Sequence, residues 1–166
     1  MNPLFRFCVW LSERPSSIAL HKSVWVYPII ESVHVLGLTL FVGLAILMDV
    51  RLAGIGLRKS SASYVARQVL PWIIAGFIPM VISGTLLFYS NPVKFYGNIF
   101  FRVKAVLLIL AGLNVFVFHN GVWRRVDEWA LDPRPPRSAR IAGFLSLALW
   151  AFIIVAGRLI AYNWYQ

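Results

Sequence analysis

Glu31 and His34 stand three residues apart in an otherwise apolar stretch of chain, a spacing that puts both on one face of a helix. Arg102, Lys104 and Arg158 interrupt two further apolar stretches. An ionisable side chain at mid-bilayer costs a few kcal/mol even on gentle insertion scales, so such groups normally face a bundle interior and find partners there. Long Arg and Lys chains have a second option, snorkelling to the headgroups. His34 is open to three readings: a hydrogen-bonded interior residue, a proton relay, or a ligand to a metal or haem iron, for which neutral imidazole is a common donor. Gly37 and Gly43, further along the same helix, leave room for a bulky planar group or for a closely packed neighbouring helix.

The elements that must position these residues follow from composition. Apolar residues make up 60% of the 166 and charged ones 13%, against roughly 45–50% and about 25% in soluble domains. Four stretches, Val24–Val50, Tyr64–Tyr89, Ile99–Val122 and Ala139–Asn163, each reach the roughly 20 residues a helix needs to cross a bilayer. Short connections between them predict an all-α integral-membrane protein, an up-down four-helix bundle over 24–166. Pro28, Pro71 and Pro79 inside these stretches suggest kinks, which membrane helices tolerate.

Residues 1–23 do not read as a cleavable signal, because Glu13-Arg14-Pro15 interrupts the first apolar patch, Phe5–Leu11. They read as a short N-terminal interfacial helix or as a frayed tail. No other segment is long enough for a separate soluble domain.

The net charge of +10 has a topological explanation that makes nucleic acid an unneeded partner. Loops 51–63 and 123–138 with their flanks hold Arg51, Arg58, Lys59, Arg67, Arg124, Arg125, Arg134, Arg137 and Arg140; the other end holds only Arg6, Arg14, Lys22 and Lys94. Nine cations against four predict that the loops are cytoplasmic, that both termini are periplasmic in a bacterial inner membrane, and that the loops attract anionic lipid. Trp25, Tyr27, Phe88, Tyr89, Phe95, Tyr96, Tyr162, Trp164 and Tyr165 would then form the outer aromatic belt. The loop Asp132-Pro-Arg-Pro-Pro-Arg137 reads as a stiff linker.

By helix rise, Glu31 and His34 lie about 10 and 15 Å below the outer start of the first span, with Lys104, Arg102 and Arg158 near the same layer. That tier suits haem b: His34 as axial ligand, and the three cations beside the propionates. Met80 falls at the depth of His34 and reads as a second axial ligand or as core filler; Lys104 is its rival as ligand. His119, roughly 20 Å deeper than Lys104, is a water-facing helix end or a ligand of a second redox centre. The lone Cys8 excludes a covalent c-type haem. Three scattered Met do not resemble a copper pathway, and no carboxylate pair suits a hydrolase.

The strings Glu31-Ser-Val-His-Val-Leu-Gly37, Met48-Asp-Val-Arg-Leu-Ala-Gly54, Phe101-Arg-Val-Lys104, Ala111-Gly-Leu-Asn-Val-Phe-Val-Phe-His-Asn120, Ser146-Leu-Ala-Leu-Trp150 and Gly157-Arg-Leu-Ile-Ala-Tyr162 resemble an uncharacterised bacterial family of four-helix inner-membrane proteins. More remotely, a His in the first helix and a Lys opening the third resemble the flavin-free, four-helix protoporphyrinogen oxidase and the membrane domains of copper-resistance proteins. That resemblance implies haem b, with His34 matching the haem-associated histidine and Lys104 the family's important lysine. The chain lacks the Tyr-His pair expected at the ends of the oxidase's helices.

The expectation is therefore a b-type cytochrome that transfers electrons, with quinone as a candidate partner and Glu31 orienting His34 or carrying a proton. Two alternatives stand beside it: a cofactor-free accessory subunit of a larger respiratory or photosynthetic membrane complex, and a porphyrin-oxidising enzyme. A bundle with so little surface outside the membrane is expected to be a homo-oligomer or a subunit of such a complex.

Overall fold

The computed structural model describes residues 2–162. The Asn163 end of the fourth predicted span, and Trp164 and Tyr165 of the aromatic belt, lie outside the described residues.

Among the described residues, four helices are long and apolar enough to cross a membrane: α3 (Val26–Ala53), α4 (Ala62–Ser90), α6 (Ile99–Asn120) and α8 (Arg137–Leu159). Shorter helices are α1 (Pro3–Ser12), α2 (Pro15–Lys22), α5 (Pro92–Gly97) and α7 (Val126–Trp129), with 3-10 turns at Val122–Arg125 and Ile160–Tyr162. The four spans begin and end within a few residues of expectation, and local chemistry sets the limits. Gly54, at φ 72°, closes α3 in the left-handed conformation. Asn98 opens α6 by accepting from the amides of Phe100 and Phe101 at 2.9 and 3.3 Å. Its Nδ2 donates to the Ile160 carbonyl at 3.2 Å, which ties the start of α6 to the end of α8. Pro28 lies in the first turn of α3, where no helical hydrogen bond is lost, so it introduces no kink there.

The bundle is held at three interfaces: α4 on α3, α3 on α8, and α8 on α6. Among the described residues, α4 and α6 share no comparable interface; a stacked pair, Phe88 and Phe101, with centroids 5.5 Å apart, spans that side. Two of the interfaces are backbone-close. A methyl group at Gly76 would lie 2.7 Å from the Phe41 nitrogen of α3, and one at Gly143 would lie 2.8 Å from the Asp49 carbonyl oxygen. One apolar cluster in the middle of the bundle joins Phe41, Met80, Ala111, Trp150 and Ile153; a second, at the loop end, joins Leu52, Phe118, Trp129 and Ala139. The outer surface is apolar as well, with Leu36 and Ile109 each 70% exposed, as a lipid-facing surface requires.

The N-terminal segment is two short helices rather than one, broken at Arg14-Pro15. Both are docked. Phe5 packs on Tyr96 of α5 with ring centroids 5.7 Å apart, and the Ser17 hydroxyl donates to the Tyr89 carbonyl at 2.7 Å. The frayed-tail reading therefore fails.

Candidate functional site

His34 sits on α3 half-buried against α4. Its Nδ1 lies 3.0 Å from the Met80 carbonyl oxygen and 3.1 Å from Ser83 Oγ. A carbonyl oxygen only accepts, so Nδ1 carries the hydrogen and the neutral ring presents Nε2 as its lone-pair nitrogen. Ser83 is itself buried and donates to the Pro79 carbonyl at 2.5 Å. Gly84 lets the ring come this close, since a methyl group there would lie 3.0 Å from His34 Cε1.

The charged groups that reach His34 through space are Lys104 and Glu31. Lys104, half-buried on α6, lays its Nζ against Gly157 of α8, 3.2 Å from where a Cβ would stand. One level near the termini end of the bundle thus carries His34 on α3, Ser83 and Gly84 on α4, Lys104 on α6 and Gly157 on α8. Glu31 is exposed one turn away from His34.

The other residues expected at this level point elsewhere. Arg102 is exposed and donates back to the Gly97 carbonyl at 3.3 Å. Arg158 is also exposed; it donates to the Tyr162 hydroxyl at 3.0 Å and lies over that ring at 5.2 Å. Both follow the snorkelling alternative, so Lys104 alone of the three cations turns inward. Met80 is 8% exposed and belongs to the central apolar cluster, while its carbonyl occupies the Nδ1 side of the His34 ring. That placement is the one the core-filler reading describes. Gly37 likewise serves helix packing, with a methyl group there meeting the Gly76 carbonyl oxygen at 3.0 Å. His119 is exposed at the end of α6, with Nδ1 on the Val115 carbonyl at 3.1 Å and Trp123 beside it at 5.9 Å. Among the described residues, no group of three or more His, Cys, Asp or Glu side chains could hold a metal ion.

Tested against haem, these donors fit in part. His34 Nε2 and the inward ammonium of Lys104 match an iron ligand and a propionate partner in chemistry. The α3–α4 seam is closed by backbone contact at Gly37 and Gly76, so a porphyrin has no room there. The side with the least helix contact is the one between α4 and α6.

The model of a family of unknown function, DUF6644, matches residues 22–163. The chain belongs to this family. The DUF6644 region takes in α3 to α8 with every candidate residue named above, and leaves α1 and nearly all of α2 outside. No curated protein and no solved structure matches the chain.

Within the DUF6644 region, sequence reasoning missed a second polar layer towards the loop end. Asp49 is 7% exposed and its Oδ2 has no hydrogen-bond partner among the described residues; Ser146 of α8 faces it. Asn114 of α6 donates to the Ala142 carbonyl at 3.0 Å one turn away. Arg51 is wholly buried and donates to backbone carbonyls: Ser60 at 2.7 Å, Ala130 at 3.0 Å and Asp132 at 2.9 Å. Sequence offered one usable signal, an acid and a base two residues apart at a span end.

Proposed function

We propose that the protein is a membrane-embedded b-type cytochrome in a bacterial inner membrane, both termini periplasmic, transferring electrons with quinone as exchange partner. The observation that supports this reading is the hydrogen bond from His34 Nδ1 to the Met80 carbonyl. Metal-ligating histidines almost always donate their other ring N–H in this way, which fixes the tautomer and raises the basicity of the ligating nitrogen. His34 would hold the iron through Nε2, and Lys104 would meet a propionate from α6. Haem b, when bound, supplies a one-electron iron couple. Ser83 and Met80 keep the imidazole from turning, and Glu31, exposed one turn away, is placed to exchange protons with the surface.

A reduced-minus-oxidised spectrum of protein purified in detergent tests this. A haem b signal that His34→Ala abolishes, that Lys104→Met weakens and that His119→Ala leaves intact is the expected result. Correctly folded wild-type protein without such a signal overturns it.

A second reading, a cofactor-free accessory subunit, is favoured by two glycines on the outer surface. At Gly43 of α3 and Gly112 of α6, an added methyl group would have no atom within 4 Å, and small residues open to lipid let another membrane helix approach closely. A partner complex that co-purifies with haem-free protein, and is lost with Gly112→Leu, would support it. A chain that is monomeric in mild detergent would count against it.

A further inference from the structure

We propose that the loop end of the bundle contains a binding site for a phosphate group, and that its occupant is the headgroup of an anionic phospholipid. The site is a cavity of about 320 Å³ lined by Gly54, Arg58, Arg134 and Arg140. Three arginines thus meet at one cavity from three different places: the α3–α4 loop, the linker before α8 and the first turn of α8.

The fold holds them there. Gly54 ends α3, and a Cβ on it would lie 3.4 Å from Pro135 Cδ, so the proline-rich linker packs directly on the helix end and carries Arg134 with it. Arg58 is fixed by its Nε, which donates to the Gly54 carbonyl at 2.6 Å; its terminal nitrogens make no hydrogen bond among the described residues. Arg140 projects from α8, whose N-cap, Pro136, makes no side-chain capping bond and whose first turn has no acidic residue. The first amides of that helix therefore lack an internal anion, at the end where the helix dipole favours one.

Among the described residues, no carboxylate lines the cavity. Like charges converging on one space repel, and an anion with several acceptor oxygens removes that repulsion while satisfying planar guanidinium donors two at a time. Phosphate is the match in charge and geometry. The cavity lies where two membrane-crossing helices, α3 and α8, end and begin, the depth of lipid headgroups, and basic pockets between helices on the cytoplasmic side bind such headgroups. Free inorganic phosphate offers the same chemistry from water.

Native mass spectrometry of delipidated full-length protein, titrated with phosphatidylglycerol or with phosphatidylcholine, tests the site. The Arg58→Gln/Arg134→Gln/Arg140→Gln variant is compared with Lys59→Gln/Arg124→Gln/Arg125→Gln, which removes equal charge from the same end. Wild type and the control variant should hold one phosphatidylglycerol roughly tenfold or more tightly than the cavity variant, and none of the three should prefer phosphatidylcholine. Equal loss in both variants, or none in either, overturns the proposal. Stabilisation of wild type by inorganic phosphate alone, absent in the cavity variant, would keep the phosphate site and overturn its assignment to lipid. Arg134→Gln alone, a change in an exposed linker, repeats the comparison if the triple variant loses helicity.

Discussion

Arg51 donates through Nη2 to the Ala130 carbonyl at 3.0 Å, and that same oxygen accepts the Ala62 amide at 2.8 Å. One carbonyl therefore joins the end of α3, the start of α4 and the turn after α7. Hydrogen bonds from charged donors are worth about 1.5–3 kcal/mol each, and deleting the guanidinium removes all three of these at once. Arg51→Ala should cost about 3 kcal/mol or more, and Arg51→Lys should recover only part, since a point ammonium cannot span three separated acceptors. Denaturation in detergent measures the loss; limited proteolysis should locate it at loops 54–61 and 130–136. Unchanged stability in Arg51→Ala would show that the clamp carries no weight.

Gly76 and Gly43 make opposite predictions for the same substitution. An added methyl at Gly76 collides with the α3 backbone at 2.7 Å, whereas at Gly43 it meets nothing within 4 Å. Gly76→Ala should therefore destabilise by about 1–3 kcal/mol, the usual cost of overpacking. Gly43→Ala in the isolated chain should be neutral or slightly stabilising, because alanine is the better helix former. Thermal unfolding of the two variants side by side gives the comparison.

These contrasts show what the sequence could and could not convey. Span number, length and order are legible because lipid imposes a length and a composition on every crossing helix. Depth is legible too: rise arithmetic puts Met80 level with His34, and their atoms touch. Direction around the helix is not. Arg102 and Lys104 are two residues apart, about 200° around the axis, so only one can face the interior, and it is Lys104. Depth alone suggests that Arg158 joins them, but it turns to Tyr162 on its own helix end. Arg51 reads in sequence as one more loop cation because its partners are backbone carbonyls, which leave no mark in side-chain pattern. The sparse contact between α4 and α6 depends on side-chain fit between helices distant in sequence, which no local pattern encodes.

Cys8 on α1 is 4% exposed, and burial pushes its thiol above the ordinary range. The thiolate is the reactive form, so at neutral pH alkylation should be slower than for a free cysteine, and the rate should keep rising with pH beyond the point at which a free cysteine levels off. Undocking α1 should remove both the steric and the electrostatic protection. Phe5→Ala, which breaks the contact with Tyr96, is expected to speed maleimide labelling several-fold at fixed pH with little change in total helicity. Labelling of wild type at the rate of an unfolded peptide would show that α1 does not stay docked.

Asp49 supplies a test of whether the second polar layer is functional or merely tolerated. Its carboxyl group is buried at the close α3–α8 approach at Gly143, with Oδ2 unpartnered among the described residues and Ser146 facing it. A buried polar atom without a partner costs about 1–3 kcal/mol, and a buried charge costs more. Asparagine has the same shape and no charge, so if the layer has only a structural part, Asp49→Asn should leave stability unchanged or raise it by about 1 kcal/mol. Asp49→Leu removes the polar atoms altogether and should give the larger gain if the backbone at Gly143 can accommodate it. Electron-transfer or proton-uptake assays on vesicles containing Asp49→Asn then distinguish the two: loss of proton uptake in a variant at least as stable as wild type assigns the carboxyl group a working role, and full retention assigns it none.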